Sequence, residues 1–296
     1  MEKEKEKITK NQKEHAIHWF PGHMKKASNK IEESIKLVDF VIVLLDARAP
    51  LSSSSEYLIS LTREKQKLFI MTKNDLADEK ITLGWQDYFS KGEDRVLSLD
   101  LKAADSKKLI LNEIHTILKD KKDKYSKKGI VNFTYKAMVV GIPNVGKSTF
   151  INMVANKAIT KTANTPGLTR KNRWVKIDAN LELMDTPGIL EPSYKDKQVA
   201  INLALIGAIK ATILPTEELA NYALDYLKEN YLNILNSKYN LNVEKITAGH
   251  EVFEQIAKKR GYLLKGQFYD LDKAQILLLN DFKNGQFGRI SVEKAD

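Results

Sequence analysis

Gly141-Ile-Pro-Asn-Val-Gly-Lys-Ser148 is the stretch that decides how this chain folds. It fits the pattern G-x-x-x-x-G-K-S. The apolar run Ala137-Met-Val-Val140 precedes it, and a helix-compatible run, Thr149-Phe-Ile-Asn-Met-Val-Ala155, follows. Strand, glycine loop and helix in that order make a phosphate-binding loop. The glycines let backbone N–H groups close around a β-phosphate, and the helix N-terminus adds a favourable dipole. Lys147 is placed to neutralise β/γ oxygens and the Ser148 hydroxyl to ligate magnesium. Asn144, Val145, Gly146 and Thr149 complete the set expected against the phosphates. The motif implies a nucleoside polyphosphate without saying which base.

The flanking sequence supplies the rest of an α/β domain. Asp39-Phe-Val-Ile-Val-Leu-Leu-Asp46 and Lys67-Leu-Phe-Ile-Met71 are apolar runs ending in polar residues, as buried parallel strands do. Arg95-Val-Leu-Ser98 repeats the pattern more weakly, and helical periodicity runs from Ser106 to Leu118. Trp174 to Ile177 and Leu181 to Met184, joined by Asp178-Ala-Asn180, read as a hairpin. Asp185-Thr-Pro-Gly188 follows the hairpin; its acid is expected in the magnesium shell, and the Gly188 amide against the γ-phosphate. Base choice rests on Thr72-Lys-Asn-Asp75, directly after a strand and similar to the N/T-K-x-D element of GTPases. The Asp75 carboxylate can accept from guanine N1–H and its exocyclic amine, a donor pair that adenine lacks. Lys73 is expected to lay its stem across the base plane. Thr72 stands where Asn is commoner, which weakens one supporting contact but not the Asp75 argument. Ser98-Leu-Asp-Leu-Lys102 is the candidate supporting loop over the base.

The order of these motifs is inverted. The base loop at 72–75 precedes the phosphate loop at 141–148, and the strand Asp39 to Asp46 opens the domain. Sheet neighbours are preserved if old termini join through the Lys-rich segment 119–128 and new ones are cut after Gly188. A P-loop NTPase domain with circularly permuted GTPase topology is therefore expected over 16–194. Beyond residue 195 strand-like runs give way to helical periodicity at Val199 to Ala211, Pro215 to Leu235, Glu251 to Arg260 and Leu271 to Phe282. A small all-helical domain is expected over 195–296, and a charged, solvated tail over 1–15.

Composition narrows the function classes. The chain has 296 residues, 43% of them hydrophobic, enough to bury a core. With no cysteine, disulfides, thiolate zinc sites and thiol catalysis are excluded. No apolar run has the length of a membrane span, and the Lys/Glu-rich N-terminus lacks the apolar core of a signal peptide. A cytoplasmic address without membrane contact fits. The formal charge of +10 is concentrated at Lys119, Lys121, Lys122, Lys124, Lys127 and Lys128, and again at Lys161, Arg170, Lys171, Arg173 and Lys176. Such a field attracts polyphosphate and favours nucleic-acid contact, with a solvated linker face as the alternative. Lys258, Lys259 and Arg260 either meet phosphate or complement the C-terminal end of their helix. Trp19, Trp85 and Trp174 read as core or surface anchors.

Motif order, Trp19-Phe-Pro-Gly-His-Met24 and Asp46-Ala-Arg-Ala-Pro50 together resemble the ribosome biogenesis GTPase A (YlqF-type) family of circularly permuted GTPases. The likeness extends to Lys258-Lys-Arg-Gly261 and Phe287-Gly-Arg289 in the helical part. It implies a GTP/GDP- and Mg2+-binding hydrolase that binds the large ribosomal subunit precursor, both rRNA and ribosomal proteins, in late assembly; a monomer off the ribosome is expected, although no residue pattern fixes the oligomeric state. Ile189, after Gly188, cannot orient water as the Gln of Ras-like enzymes does. His23 is the candidate catalytic group, with a structural role as the alternative. Asn144 matches the Asn that holds K+ in related potassium-dependent GTPases, or is a turn-tolerant loop residue. Thr169 is the choice for the switch threonine completing the magnesium shell, with Thr165 behind it. The rival reading of the whole chain is an RNA-binding scaffold that keeps guanine nucleotide as a structural or regulatory ligand.

Overall fold

The computed structural model describes residues 17–18, 22–129, 133–156, 173–191, 193–194, 196–243 and 249–295. Six strands form the central sheet: β2 (Phe40–Asp46), β3 (Lys67–Thr72), β4 (Arg95–Leu99), β5 (Tyr135–Gly141), β6 (Arg173–Lys176) and β7 (Leu181–Asp185). Their spatial order is β4-β3-β2-β5-β7-β6, parallel except where β6 returns antiparallel to β7. The first strand of the sheet in sequence thus lies between the base-loop strand β3 and the phosphate-loop strand β5. This is the permuted arrangement, with chain order changed and neighbours kept. Every residue of β2 and β3 is buried, which accounts for their unbroken apolar character.

Helices α1 (Gly22–Ser34), α2 (Pro50–Ser54), α3 (Glu56–Leu61), α4 (Glu79–Phe89), α5 (Ser106–Lys127) and α6 (Lys147–Ala155) connect and cover the strands. Trp85 is a core residue packed beside Phe69 and Phe89, whereas Trp174 is part-exposed on edge strand β6 under the Lys136 ammonium. The two-residue strand β1 (Ile17–His18) pairs antiparallel with β8 (Ser193–Tyr194).

Three expectations are corrected. The Lys-rich segment is the continuation of α5 to Lys127 and not a linker, because lysine is a good helix former and Lys121 is tied to Asp39 at 2.6 Å. The next strand, β5, starts at Tyr135. The single helix expected over Pro215 to Leu235 is two, α8 (Thr216–Asn230) and α9 (Leu232–Tyr239), broken at Tyr231, whose φ/ψ of −141°/38° leave the helical region. The run expected as Val199 to Ala211 ends early, as α7 (Lys197–Leu205), with Gly207 at φ +76° turning the chain. Helices α10 (Gly249–Arg260) and α11 (Leu271–Lys283) complete the C-terminal part.

The two parts share one core. A single cluster of buried apolar side chains holds Phe40, Ile42 and Val139 from the sheet together with Leu203, Leu224 and Phe282 from the helices. The final segment runs back over the sheet part: Ile290 N–H donates to the Leu76 carbonyl, and Val292 N–H to that of Arg48. The half-buried Glu293 carboxylate accepts from Ser52 N–H, the Ser52 hydroxyl and the Asn202 amide. Among the described residues no helix is long and apolar enough to cross a membrane.

Candidate nucleotide site

Four chain segments meet at the carboxyl edge of the sheet, where β5, β3, β7 and β2 end, the position that open α/β sheets use for ligands. From β5 comes the phosphate loop. Asn144 and Gly146 take left-handed φ values of +61° and +105°, which turn the loop before α6 begins at Lys147. The Lys147 ammonium donates to the carbonyls of Gly141 at 2.9 Å and Ile142 at 2.7 Å. Burial pushes its pKa down to about 8, against the pull of the Asp185 charge. Ser148 and Thr149 follow in the first turn of α6.

The base loop from β3 lies directly on the phosphate loop. The Thr72 hydroxyl sits 2.7 Å from the Val145 carbonyl and 3.0 Å from that of Leu45, so threonine itself ties the base loop to the phosphate loop. Lys73, at φ +60°, sends its ammonium to Asp46 Oδ2 at 2.7 Å and to the Asn144 carbonyl at 2.9 Å. Asn74 and Asp75 form a short 3-10 turn with Leu76, leaving Asp75 exposed at the rim. Base loop and phosphate loop therefore touch despite inverted chain order. Ser98 lies within β4 rather than in the following loop, and its buried hydroxyl has no partner. Leu101, further on, is the residue against Gly146.

Asp185 ends β7 and is 2% exposed, with Oδ1 lacking any hydrogen-bond partner. Burial pushes its pKa up to about 6, opposed by Lys147 and Arg173. A buried carboxylate oxygen left unpaired in a loop cluster beside a serine-bearing helix N-terminus is the hard-donor chemistry of a magnesium shell. Gly188 is pressed against Pro143, where a Cβ would come within 2.9 Å of backbone, so this close approach demands glycine. Ile189 then turns inward: its N–H donates to the Gly141 carbonyl and its side chain is fully buried. No water-directing group can come from that position.

Sequence motifs did not single out Asp46 and Arg48 as site residues. The Asp46 carboxylate accepts from Arg48 N, Nε and Nη2 and from Lys73 Nζ. Burial works to raise its pKa, but the adjacent Arg48 and Lys73 charges and their hydrogen bonds hold it well below the usual carboxylate range. The available signal was a polar Asp-x-Arg directly after a fully buried strand. His23 falls in the first turn of α1, but its side chain lies outside the described residues, as do Trp19, Lys161, Thr165, Thr169, Arg170 and Lys171. The backbone pairing of Ile17 with Tyr194 and His18 with Ser193 joins the segment preceding His23 to the one following Gly188.

A family model described as "50S ribosome-binding GTPase" matches residues 136–246. The Ribosome biogenesis GTPase A of Bacillus cereus is 41% identical over 282 residues, covering 95% of this chain and 94% of that protein. Two solved structures of YlqF from Thermotoga maritima match at a TM-score of 0.64. The GNP-bound form is 25% identical and covers 92% of this chain and 99% of its own. The GDP-bound form is 26% identical and covers 90% and 98%.

Proposed function

The chain belongs to the ribosome biogenesis GTPase A family, and we propose that it docks on the large-subunit precursor with GTP bound and leaves once GTP is hydrolysed. GTP hydrolysis in ribosome assembly follows from that membership; the particle, the timing and the residues in their roles are our reading. The observation that carries the site assignment is the direct contact of the two loops, Thr72 on Val145 and Lys73 on Asn144. It supports reading Asp75 as the guanine acceptor and Lys147 as the phosphate neutraliser, since the base and phosphate loops lie at the same edge of the sheet.

In this reading Asp75 accepts from the guanine edge while the stem of Lys73 covers the ring and Asn74 completes the turn. Ser98 supports the strand behind them. Backbone N–H groups from Asn144 to Thr149 surround the phosphates, and Lys147 trades its loop carbonyls for phosphate oxygens. Ser148 and Asp185 would hold Mg2+, with Thr169 as third protein ligand; the ion would offset charge on the β/γ oxygens. The Asn144 amide nitrogen donates to the Gly207 carbonyl at 2.8 Å, which leaves the amide oxygen as the atom for a K+ ion. The Gly188 N–H senses the γ-phosphate. Because Ile189 is buried, we assign water activation to His23; the β1–β8 pairing, which joins the segment preceding it to the one following Gly188, supports that assignment.

The helices of 195–296 supply the RNA face. Lys258, Lys259, Arg260 and Lys265 are exposed on and beside α10, next to Leu263, Leu264 and Phe268, the last 73% exposed. Positive charge interleaved with an exposed aromatic suits a ribose-phosphate surface and unstacked bases. Such a protein would act in the cytoplasm, as a monomer between encounters. Cosedimentation with large-subunit particles should retain more protein with a non-hydrolysable GTP analogue than with GDP; equal retention would overturn the cycle. Particles should speed turnover by roughly 10³–10⁵. His23→Ala should abolish that stimulation at unchanged GDP affinity, and an intact stimulated rate would remove His23 from the mechanism.

A further inference from the structure

We propose that Asp46 and Arg48 are positioning residues for the guanine loop, through which nucleotide occupancy and the seating of the C-terminal helices are linked. The proposal rests on the reading of Thr72 to Asp75 as the base loop.

A closed ring of polar contacts carries it. Lys73 reaches Asp46, and Asp46 holds Arg48. Arg48 Nη2 donates to the Ile206 carbonyl at 3.1 Å and Nη1 to the Lys283 carbonyl at 3.0 Å, with the Phe282 carbonyl at 3.5 Å. The Ile206 and Lys283 carbonyls stand at the C-terminal ends of α7 and α11, where a helix cannot satisfy them internally; the Phe282 carbonyl also accepts from Gly285 N–H. One residue past Ile206, the Gly207 carbonyl accepts from the Asn144 side chain, and the Asn144 carbonyl accepts from Lys73. Base loop, strand end, two helix ends and phosphate loop are thereby joined in one circuit.

The circuit has no spare capacity. Asp46 takes four donors, about the number of lone-pair sites a carboxylate offers, and Arg48 spends all five of its side-chain N–H groups. Its side chain is 2% exposed, so water cannot replace a lost partner. A nucleotide that draws the Lys73 stem over its base, or reorients the Asn144 peptide around its phosphates, must redistribute contacts on Asp46 and so on Arg48. By linkage, whatever helix placement favours the nucleotide is favoured by it to the same factor. An ordinary buried ion pair would stabilise the fold equally with and without nucleotide; this one is expected to respond to it.

Lysine keeps the charge of Arg48 but not the fork that serves Asp46 and the carbonyls of Ile206, Phe282 and Lys283. The test compares the wild-type chain with Arg48→Lys by hydrogen–deuterium exchange, each with and without saturating GDP. In the wild type GDP should slow exchange at 203–208 and 280–285. In the variant GDP should bind about tenfold more weakly, still protect 141–148, and no longer slow exchange at the two helix ends. Identical GDP responses in both proteins, or none in the wild type, would overturn the linkage. If circular dichroism finds Arg48→Lys unfolded, Lys73→Met opens the ring at its exposed side, and a full response of the helix ends in that variant would equally defeat the proposal. Asp75→Asn, run in parallel with GDP and ADP, separates the premise: a retained preference for GDP would sink the base-loop reading on which the proposal stands.

Discussion

At Asp185 a carboxylate is buried with one oxygen unpartnered, an arrangement that costs stability. Its pKa stands raised from 3.8 to about 6, burial outweighing Lys147 and Arg173. A raised carboxylate binds its proton more tightly folded than unfolded, so ionisation works against folding. That cost is complete above about pH 6 and fades as pH falls toward 3.8. At 1.36 kcal/mol per unit it amounts to about 3 kcal/mol as an upper bound. Asp185→Asn should therefore melt higher than the wild type at pH 7.5 without nucleotide or metal, with the advantage shrinking between pH 6 and 4. The same variant should lose the gain in GTP-analogue affinity that Mg2+ gives the wild type. A variant melting lower at pH 7.5 would mean that the Lys147 attraction outweighs burial.

Elements divide by where their determinants lie. The strands were legible because an apolar run plus a terminal polar residue is local information: Asp39 to Asp46 was read and Phe40–Asp46 is found. The phosphate loop was legible for the same reason, its glycines and helix start being adjacent in sequence. The break at Tyr231 was not, because its cause lies sixty residues on. The Tyr231 hydroxyl accepts from Ser291 N–H at 3.1 Å while Tyr226 donates to the Ser291 carbonyl at 2.7 Å, and this cross-chain anchoring overrides helical periodicity. Arg48 escaped for the same reason, its carbonyl partners being 158 and 235 residues away. Tyr231→Phe keeps the ring and strips the acceptor from a buried N–H, which should cost about 1–3 kcal/mol. Urea unfolding should report that as a lower midpoint at unchanged slope. An unmoved midpoint would show that packing alone sets the break.

Across the whole molecule the sheet part and the helical part behave as one body in every contact described. The apolar cluster runs through both, Arg48 closes two helix ends, and Trp85 donates its indole N–H to the Glu293 carbonyl. The change of texture near residue 195 marks a change of secondary structure without a gap in the core. Cutting there would leave Arg48 charged and short of its helix carbonyls, and would strip the apolar cover from one side of the sheet; a buried cation without partners is among the costlier defects a fold can carry. A chain ended at residue 194 should accordingly fail to give a cooperative melt or bind GDP. The intact chain should unfold in one transition, with Trp85 fluorescence (in a Trp19→Phe, Trp174→Phe background) and far-ultraviolet circular dichroism giving coincident midpoints. Two separated transitions, or a shortened chain with ordinary GDP affinity, would show that the helices ride on a self-sufficient nucleotide domain. The ring through Asp46 would then lack the rigid frame it needs to pass a signal.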